Sequence, residues 1–119
     1  MRTGSTKEKG DRGEELALTF LRRRGFRIAA TGYRYGRGEV DIIAYDGDIL
    51  VFCEVKARMS DQFGEPEYGV TRRKQLQIRK VAEAYLFEHD IRDQVCRFDV
   101  IAVRFNGDRT IVRYLRNAF

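Results

Sequence analysis

Two apolar runs joined by a short turn, with acids set inside them, constrain this chain more than any other feature. Residues 39–45 read Glu-Val-Asp-Ile-Ile-Ala-Tyr, and residues 49–56 read Ile-Leu-Val-Phe-Cys-Glu-Val-Lys. Asp46-Gly47-Asp48 lies between them, and its Asp-Gly pair is the strongest short-range hairpin signal. The spacing predicts antiparallel strands at Glu39–Tyr45 and Ile49–Lys56. Val40, Ile42, Ile43, Leu50, Val51, Phe52, Cys53 and Val55 make the pair almost continuously apolar, as strands covered on both faces are. Side chains alternate along a strand, so Glu39 and Asp41 are expected on one face. Glu54 and Lys56 likewise share a face, with Val55 opposite. The turn then lets Asp41 and Glu54 converge, with Lys56 beside them.

Carboxylates so placed are costly. At ~4 Å two like charges repel by about 4 kcal/mol at an effective dielectric of 20. A lysine offsets part of this and a divalent cation more. Mg²⁺ in particular favours one or two carboxylates completed by waters and phosphate oxygens. On this reading Asp41 and Glu54 are direct ligands of Mg²⁺ or Mn²⁺, and the main-chain carbonyl of Val55 completes the protein side of the shell. The ion would polarise a phosphodiester and acidify a bound water. Lys56 would orient that water or stabilise charge developing on phosphorus. Glu14, on a predicted first helix, would reach the ion through a water. The same residues also fit a plain cross-strand ion pair, worth about 0.2–1 kcal/mol, and spacing alone leaves both readings open.

The 119 residues suit one domain, 1–119. Ser5 or Thr6 can cap a helix running to Arg24, with Leu16, Ala17, Phe20 and Leu21 at helical spacing and Gly25 ending it. Phe26–Ala30 is a predicted strand, followed by a turn-like basic segment, Thr31–Gly38. Beyond the hairpin, Ala57–Gly69 reads as a loop, whose stretch from Met59 to Gly69 is long enough to move over a substrate and fits a passive connection equally well. Thr71 caps a second helix to Glu88, whose inward residues are expected to be Leu76, Ile78, Val81, Ala82, Tyr85 and Leu86. Phe98–Phe105 and Thr110–Leu115 are strands joined at Asn106-Gly-Asp108. The order α-β-β-β-α-β-β implies an α/β domain, one central mixed five-stranded sheet flanked by helices.

The formal charge of +5 (23 Lys and Arg against 18 Asp and Glu) points towards a polyanion, or else to a solvated basic surface. Arg34 and Arg37 in the basic segment and Arg58 after Lys56 are candidate phosphate contacts. So are Arg72, Arg73 and Lys74 at the start of the second helix, where cations oppose the helix dipole and an anion would offset the cost. Each also fits a solvated face. Glu39 either joins the site or balances a nearby arginine. Tyr33, Tyr35 and Tyr68 could stack on unpaired bases or pack in the core. With one histidine, His89, a histidine-centred triad is hard to build. Cys53 and Cys96 have no zinc spacing and are expected as buried thiols. The first residues lack an apolar signal core and no run approaches the ~20 apolar residues of a membrane span, so a cytoplasmic location without membrane association is expected.

Asp41, followed after a hairpin by Glu54-Val-Lys56, resembles the D…(D/E)xK signature of PD-(D/E)XK nucleases. More closely, the chain resembles the YraN family of bacterial proteins, similar in fold to archaeal Holliday junction resolvases. The matching pieces are Gly13–Ala17, Arg37–Ala44, Leu50–Arg58, Phe63-Gly64, Arg97–Val100 and Arg116–Phe119. The resemblance implies a restriction-endonuclease-like fold and metal-dependent cleavage of DNA, branched DNA included. Residue by residue, it places the acidic helix position on Glu14, the strand acid on Asp41 and the E-x-K pair on Glu54 and Lys56. A homodimer is expected by analogy with the resolvases. A nucleic-acid-binding module that keeps the nuclease fold without turnover is the other expectation.

Overall fold

A computed structural model describes residues 6–59 and 70–119. The elements are α1 (Thr6–Arg23), β1 (Arg27–Tyr35), β2 (Gly38–Asp46), β3 (Ile49–Met59), α2 (Arg72–Glu88), β4 (Cys96–Asn106) and β5 (Arg109–Leu115). The strands form one five-stranded sheet in the order β1-β2-β3-β4-β5. All neighbours pair antiparallel except β3 and β4, which are parallel. The molecule is thus α/β with a mixed sheet, in the order read from the sequence.

The parallel pair follows from connectivity. A tight turn can reverse a strand, but parallel neighbours need a crossover, and α2 supplies it between β3 and β4. The central strands read as unbroken apolar runs because both faces are covered. Ala17 and Leu21 of α1, one helical turn apart, pack with Ile42, Ala44, Val51, Cys53, Ile101 and Val103. Ile78, Val81, Ala82 and Tyr85 of α2 pack on the other side with Val40, Ile43, Leu50 and Phe52. Thr71 caps α2, its side-chain oxygen accepting the Lys74 N–H at 3.1 Å.

Several expectations need correction. Thr31–Tyr35 is not a turn: β1 runs through it, because Thr31 and Tyr33 pair with Ile42 and Val40 of β2, and the chain reverses only after Tyr35. β3 continues past Lys56 to Met59, zipped to β4 as far as Phe105. Leu76 faces outward and is half exposed, while Ile78, Val81, Ala82 and Tyr85 are buried as expected. Cys53 is buried and Cys96 half-buried, both as free thiols. The rest of the Ala57–Gly69 loop, with Tyr68, lies outside the described residues. Among the described residues no helix is long and apolar enough to cross a membrane.

Two local contacts fix the frame. Gly38 opens β2 hard against α2, and a Cβ there would lie 2.6 Å from Val81 Cγ2 and 2.9 Å from Gln77 Cγ. On β4, Asp99 is fully buried and held from several sides. Arg97 donates to it through Nε at 3.0 Å and Nη2 at 3.0 Å, the Asn117 N–H donates at 2.8 Å, and the Tyr114 hydroxyl donates as well. Arg97 Nη2 also reaches Asp46 at the β2–β3 turn, at 2.9 Å. Burial, then the bond to the Asp99 carboxylate, pushes the Tyr114 hydroxyl well above its ordinary pKa.

Asp99→Ala removes the buried carboxylate of the Arg97 guanidinium, leaving it the Asp46 carboxylate, and is expected to cost about 3 kcal/mol in urea denaturation. Gly38→Ala is expected to cost about 1–3 kcal/mol in the same measurement, because the added methyl overlaps a packed valine.

Candidate metal centre

The site grows from a fork in the sheet. β2 and β3 pair from Asp46↔Ile49 only as far as Ile42↔Cys53. Past that point β2 stays with β1 down to Gly38, and β3 stays with β4 up to Met59. Asp41 and Glu54 are the first residues beyond the last rung. Asp41 Oδ2 accepts the Val55 N–H at 2.8 Å, so a side chain takes the place of a neighbouring strand. Strict alternation also breaks here, since Val40 packs with the α2 cluster and Ile42 with the α1 cluster.

Both helices close on the fork. Lys74, in the first turn of α2, places Nζ 3.7 Å from Glu54 Oε2, whose side chain is 13% exposed. α1 crosses β3 at Gly13, where an added Cβ would lie 3.0 Å from Ala57 Cβ and 4.0 Å from Val55 Cγ1. Only the missing side chain allows so close a crossing, and it brings the next residue, Glu14, within electrostatic reach of Asp41.

The electrostatics follow from this packing. Burial, reinforced by the charge of Asp41, pushes the Glu54 carboxyl up to about 8, against the pull of the Lys74 and Lys56 ammoniums. A hydrogen bond with Asp41 raises Glu54 further and lowers Asp41. Asp41 itself is raised, by burial first, although the Val55 N–H favours its charged form. Glu14 is raised by burial and then by the charges of Asp41, Glu39 and Asp11. The Cys53 thiol, pushed far up by burial and then by the surrounding acids, cannot serve as a nucleophile near neutral pH.

Of the residues picked from the sequence, the structure joins Asp41, Glu54 and the Val55 peptide directly. Lys56 acts on Glu54 through its charge, and Lys74, which sequence reading had set aside for phosphate contact, also brings its ammonium into ion-pair range of that carboxyl. Among the described residues no three His, Cys, Asp or Glu side chains form a ready metal cluster, so Glu14 stands farther off. Glu39 balances Arg34 across the β1–β2 ladder, at 3.5 Å. Arg37 sits at the β1–β2 turn, Arg58 is exposed on β3 with Nη1 donating to the Ala57 carbonyl at 3.1 Å, and Arg72 and Arg73 are exposed at the start of α2. Sequence reasoning missed the Asp46–Arg97–Asp99–Tyr114 network. Its signal was there: two charges at alternate positions in an otherwise apolar strand, Arg97-Phe-Asp-Val100.

Comparison with known proteins gives a consistent relationship. Residues 13–103, which include every acid and lysine of the fork, match the model of the uncharacterised protein family UPF0102. A UPF0102 protein of Geobacter metallireducens is 42% identical over 113 residues, covering 95% of this chain and 93% of that protein. One from Dictyoglomus thermophilum is 41% identical over 117 residues, covering 97% and 99%. One from Chlorobium limicola is 48% identical over 94 residues, covering 79% and 73%. The fork, its two carboxylates and the lysines around them therefore lie in a chain that belongs to the UPF0102 family.

Proposed function

We propose that the chain is a Mg²⁺- or Mn²⁺-dependent endonuclease that hydrolyses phosphodiester bonds in DNA, on a restriction-endonuclease-like, PD-(D/E)XK type of fold. Resolvase-like action on branched DNA falls within the proposal. The observation that carries it is the pair of carboxyls at the β2–β3 fork, Asp41 fixed by the Val55 N–H at 2.8 Å and Glu54 reached by the Lys74 ammonium at 3.7 Å. Carboxyls so held have the chemistry of a cation site: the ion takes the place of the proton. Two carboxylates suit Mg²⁺, which keeps several waters and shares its shell with phosphate.

Asp41 and Glu54 would hold the ion, with the Val55 carbonyl as a third donor. When bound, it supplies a Lewis acid for the phosphate and an acidified water. The Val55 N–H fixes the Asp41 carboxylate so that its other oxygen can face the ion. Lys56 and Lys74 bring positive charge to where the phosphorane builds negative charge. Glu14, its carboxyl pKa raised, can hold or accept a proton at the rim. The exposed Arg37, Arg58, Arg72 and Arg73 are suited to backbone phosphates, giving sequence-tolerant binding.

One observation favours a second reading, a nucleic-acid-binding module without turnover: the Lys74 ammonium already stands 3.7 Å from Glu54, in competition with any ion. Cleavage assays on linear, flapped and four-way DNA with Mn²⁺ separate the two. For the enzyme, Asp41→Asn, which can still accept the Val55 N–H, and Glu54→Gln are expected to lower cleavage by at least on the order of 100-fold while preserving folding, and EDTA to abolish it. Wild-type cleavage that survives EDTA or both substitutions refutes a metal mechanism; none on any substrate leaves the binding module.

The proton on Glu54 sets a pH dependence. A carboxyl with a folded pKa of about 8, against 4.5 for an ordinary glutamate, binds an extra proton when folded. Its stabilising effect is complete below the unfolded value and is lost as pH rises through about 8. In EDTA the melting temperature is therefore expected to fall from pH 5 to pH 9, and Glu54→Gln to flatten that fall. Mn²⁺ affinity, by calorimetry, is expected to rise up to about tenfold per pH unit until the proton is gone near pH 8.

A further inference from the structure

We propose that the groove between the β1–β2 turn and the outer face of α2 binds an unpaired nucleic-acid strand and leads it to or from the carboxylate fork. This deepens the function proposed above by naming the form of the polyanion, and it rests on that proposal for the polyanion itself.

The groove is a hollow of about 440 Å³ lined by the turn residues 35–38 and by Arg73, Leu76, Gln77 and Lys80 of α2. Its cations, Arg37, Arg73 and Lys80, are all exposed, and among the described residues no acid lines it. Tyr35 is 53% exposed and Leu76 51%, so an aromatic ring and a large aliphatic side chain stand in solvent among positive charges. That pairing is what a single strand needs: cations track the phosphates while apolar and aromatic surfaces receive base faces. A duplex hides its base faces in the stack and gains nothing from Tyr35 or Leu76. Tyr33, the neighbouring candidate for stacking, is already committed, edge-on to Tyr85 with its hydroxyl donating to Glu88.

The walls are set in advance. Gly38 is wedged against Val81 and Gln77, and Gln77 Nε2 donates to the Arg37 carbonyl at 3.4 Å, so the turn is docked on the helix before any ligand arrives. Preorganisation of this kind lowers the ordering cost of binding. The groove also adjoins the fork. Arg73 lines it, while the next residue, Lys74, turns to Glu54. Gly38 precedes Asp41 by three residues, about 10 Å of strand. At the other end Tyr35 and Lys80 are shared with a second hollow that carries Glu83 and Glu88, where the change of sign stops an anion.

The test is fluorescence anisotropy of the full chain in EDTA with labelled oligo(dT), oligo(U) and a blunt DNA duplex, each across a salt series. Tighter binding of the single strands than of the duplex is expected, and the dT and U arms distinguish DNA from RNA. Tyr35→Ala is expected to weaken single-strand binding on the order of tenfold without changing its salt dependence. Arg73→Ala is expected to flatten the log–log salt slope by about 0.7. If both variants, folded by circular dichroism, bind single strands like the wild type, or if the duplex binds tighter, the groove is not a strand site. If Tyr35→Ala instead dissociates a dimer in sedimentation and leaves strand binding intact, a second copy occupies the face and the proposal falls. Mn²⁺-dependent cleavage assayed in parallel separates the two proposals. Lost strand binding in the variants of a chain that never cleaves upholds the groove alone; intact strand binding in variants that still cleave upholds the nuclease alone.

Discussion

The arrangement of this molecule depends on one hydrogen bond, from the Val55 N–H to the Asp41 carboxylate. It sits where β2 lets go of β3, and a sheet cannot simply open in its interior. Each strand that leaves exposes backbone donors and acceptors, and a buried unpaired N–H costs about 1–3 kcal/mol. Asp41 satisfies the donor that the departing strand abandons. The same bond therefore ends one ladder, tolerates the gap and aims a carboxylate into it. A hydrophobic residue at 41 would leave the fork without a partner for Val55, which ties the sheet geometry to the chemistry placed on it.

What surrounds the fork balances charge rather than adding apolar contact. Cations in the first turn of a helix run against its dipole, and Lys74 is in that position on α2. Its proximity to Glu54 offsets the penalty, while the Thr71 cap keeps the turn in place. On the opposite face, Gly13 lets α1 lie close on Val55 and Ala57 and brings Glu14 within electrostatic reach of Asp41. The high pKa of Glu54 is thus a product of tertiary packing. An isolated β2–β3 hairpin would carry the same two carboxyls at ordinary acidity.

The legible part of this structure was whatever depended on neighbours in sequence. Asp46-Gly-Asp48 fixed a hairpin, the apolar runs marked the covered strands, and Thr71 marked the start of α2. Asp41, Glu54 and Lys56 could be paired because a single turn separates them. What was not legible depended on elements distant in sequence. Thr31–Tyr35, rich in glycine, tyrosine and arginine, looked like a turn until pairing with β2 imposed an extended backbone on it. Lys74 is twenty residues from Glu54 and comes near only through the crossover helix. Leu76, by contrast, grouped with the inward residues because it is apolar, stands two residues before Ile78 and so on the side of α2 opposite the buried Ile78, Val81, Ala82 and Tyr85, a position its spacing alone gives away. The Arg97–Asp99 network needed Asp46, Tyr114 and Asn117, drawn from three other parts of the chain.

The single parallel pairing in the sheet has a consequence for the order of assembly. The β2–β3 and β4–β5 hairpins close over a few residues and can form early, whereas β3 and β4 must wait for the crossover between them. The carboxyls meet in the first of these events, in water, at little cost. They lose their solvent only in the last, when the helices dock on the two faces. The cost of gathering two acids therefore falls on the docking of the helices and not on the closing of the hairpin.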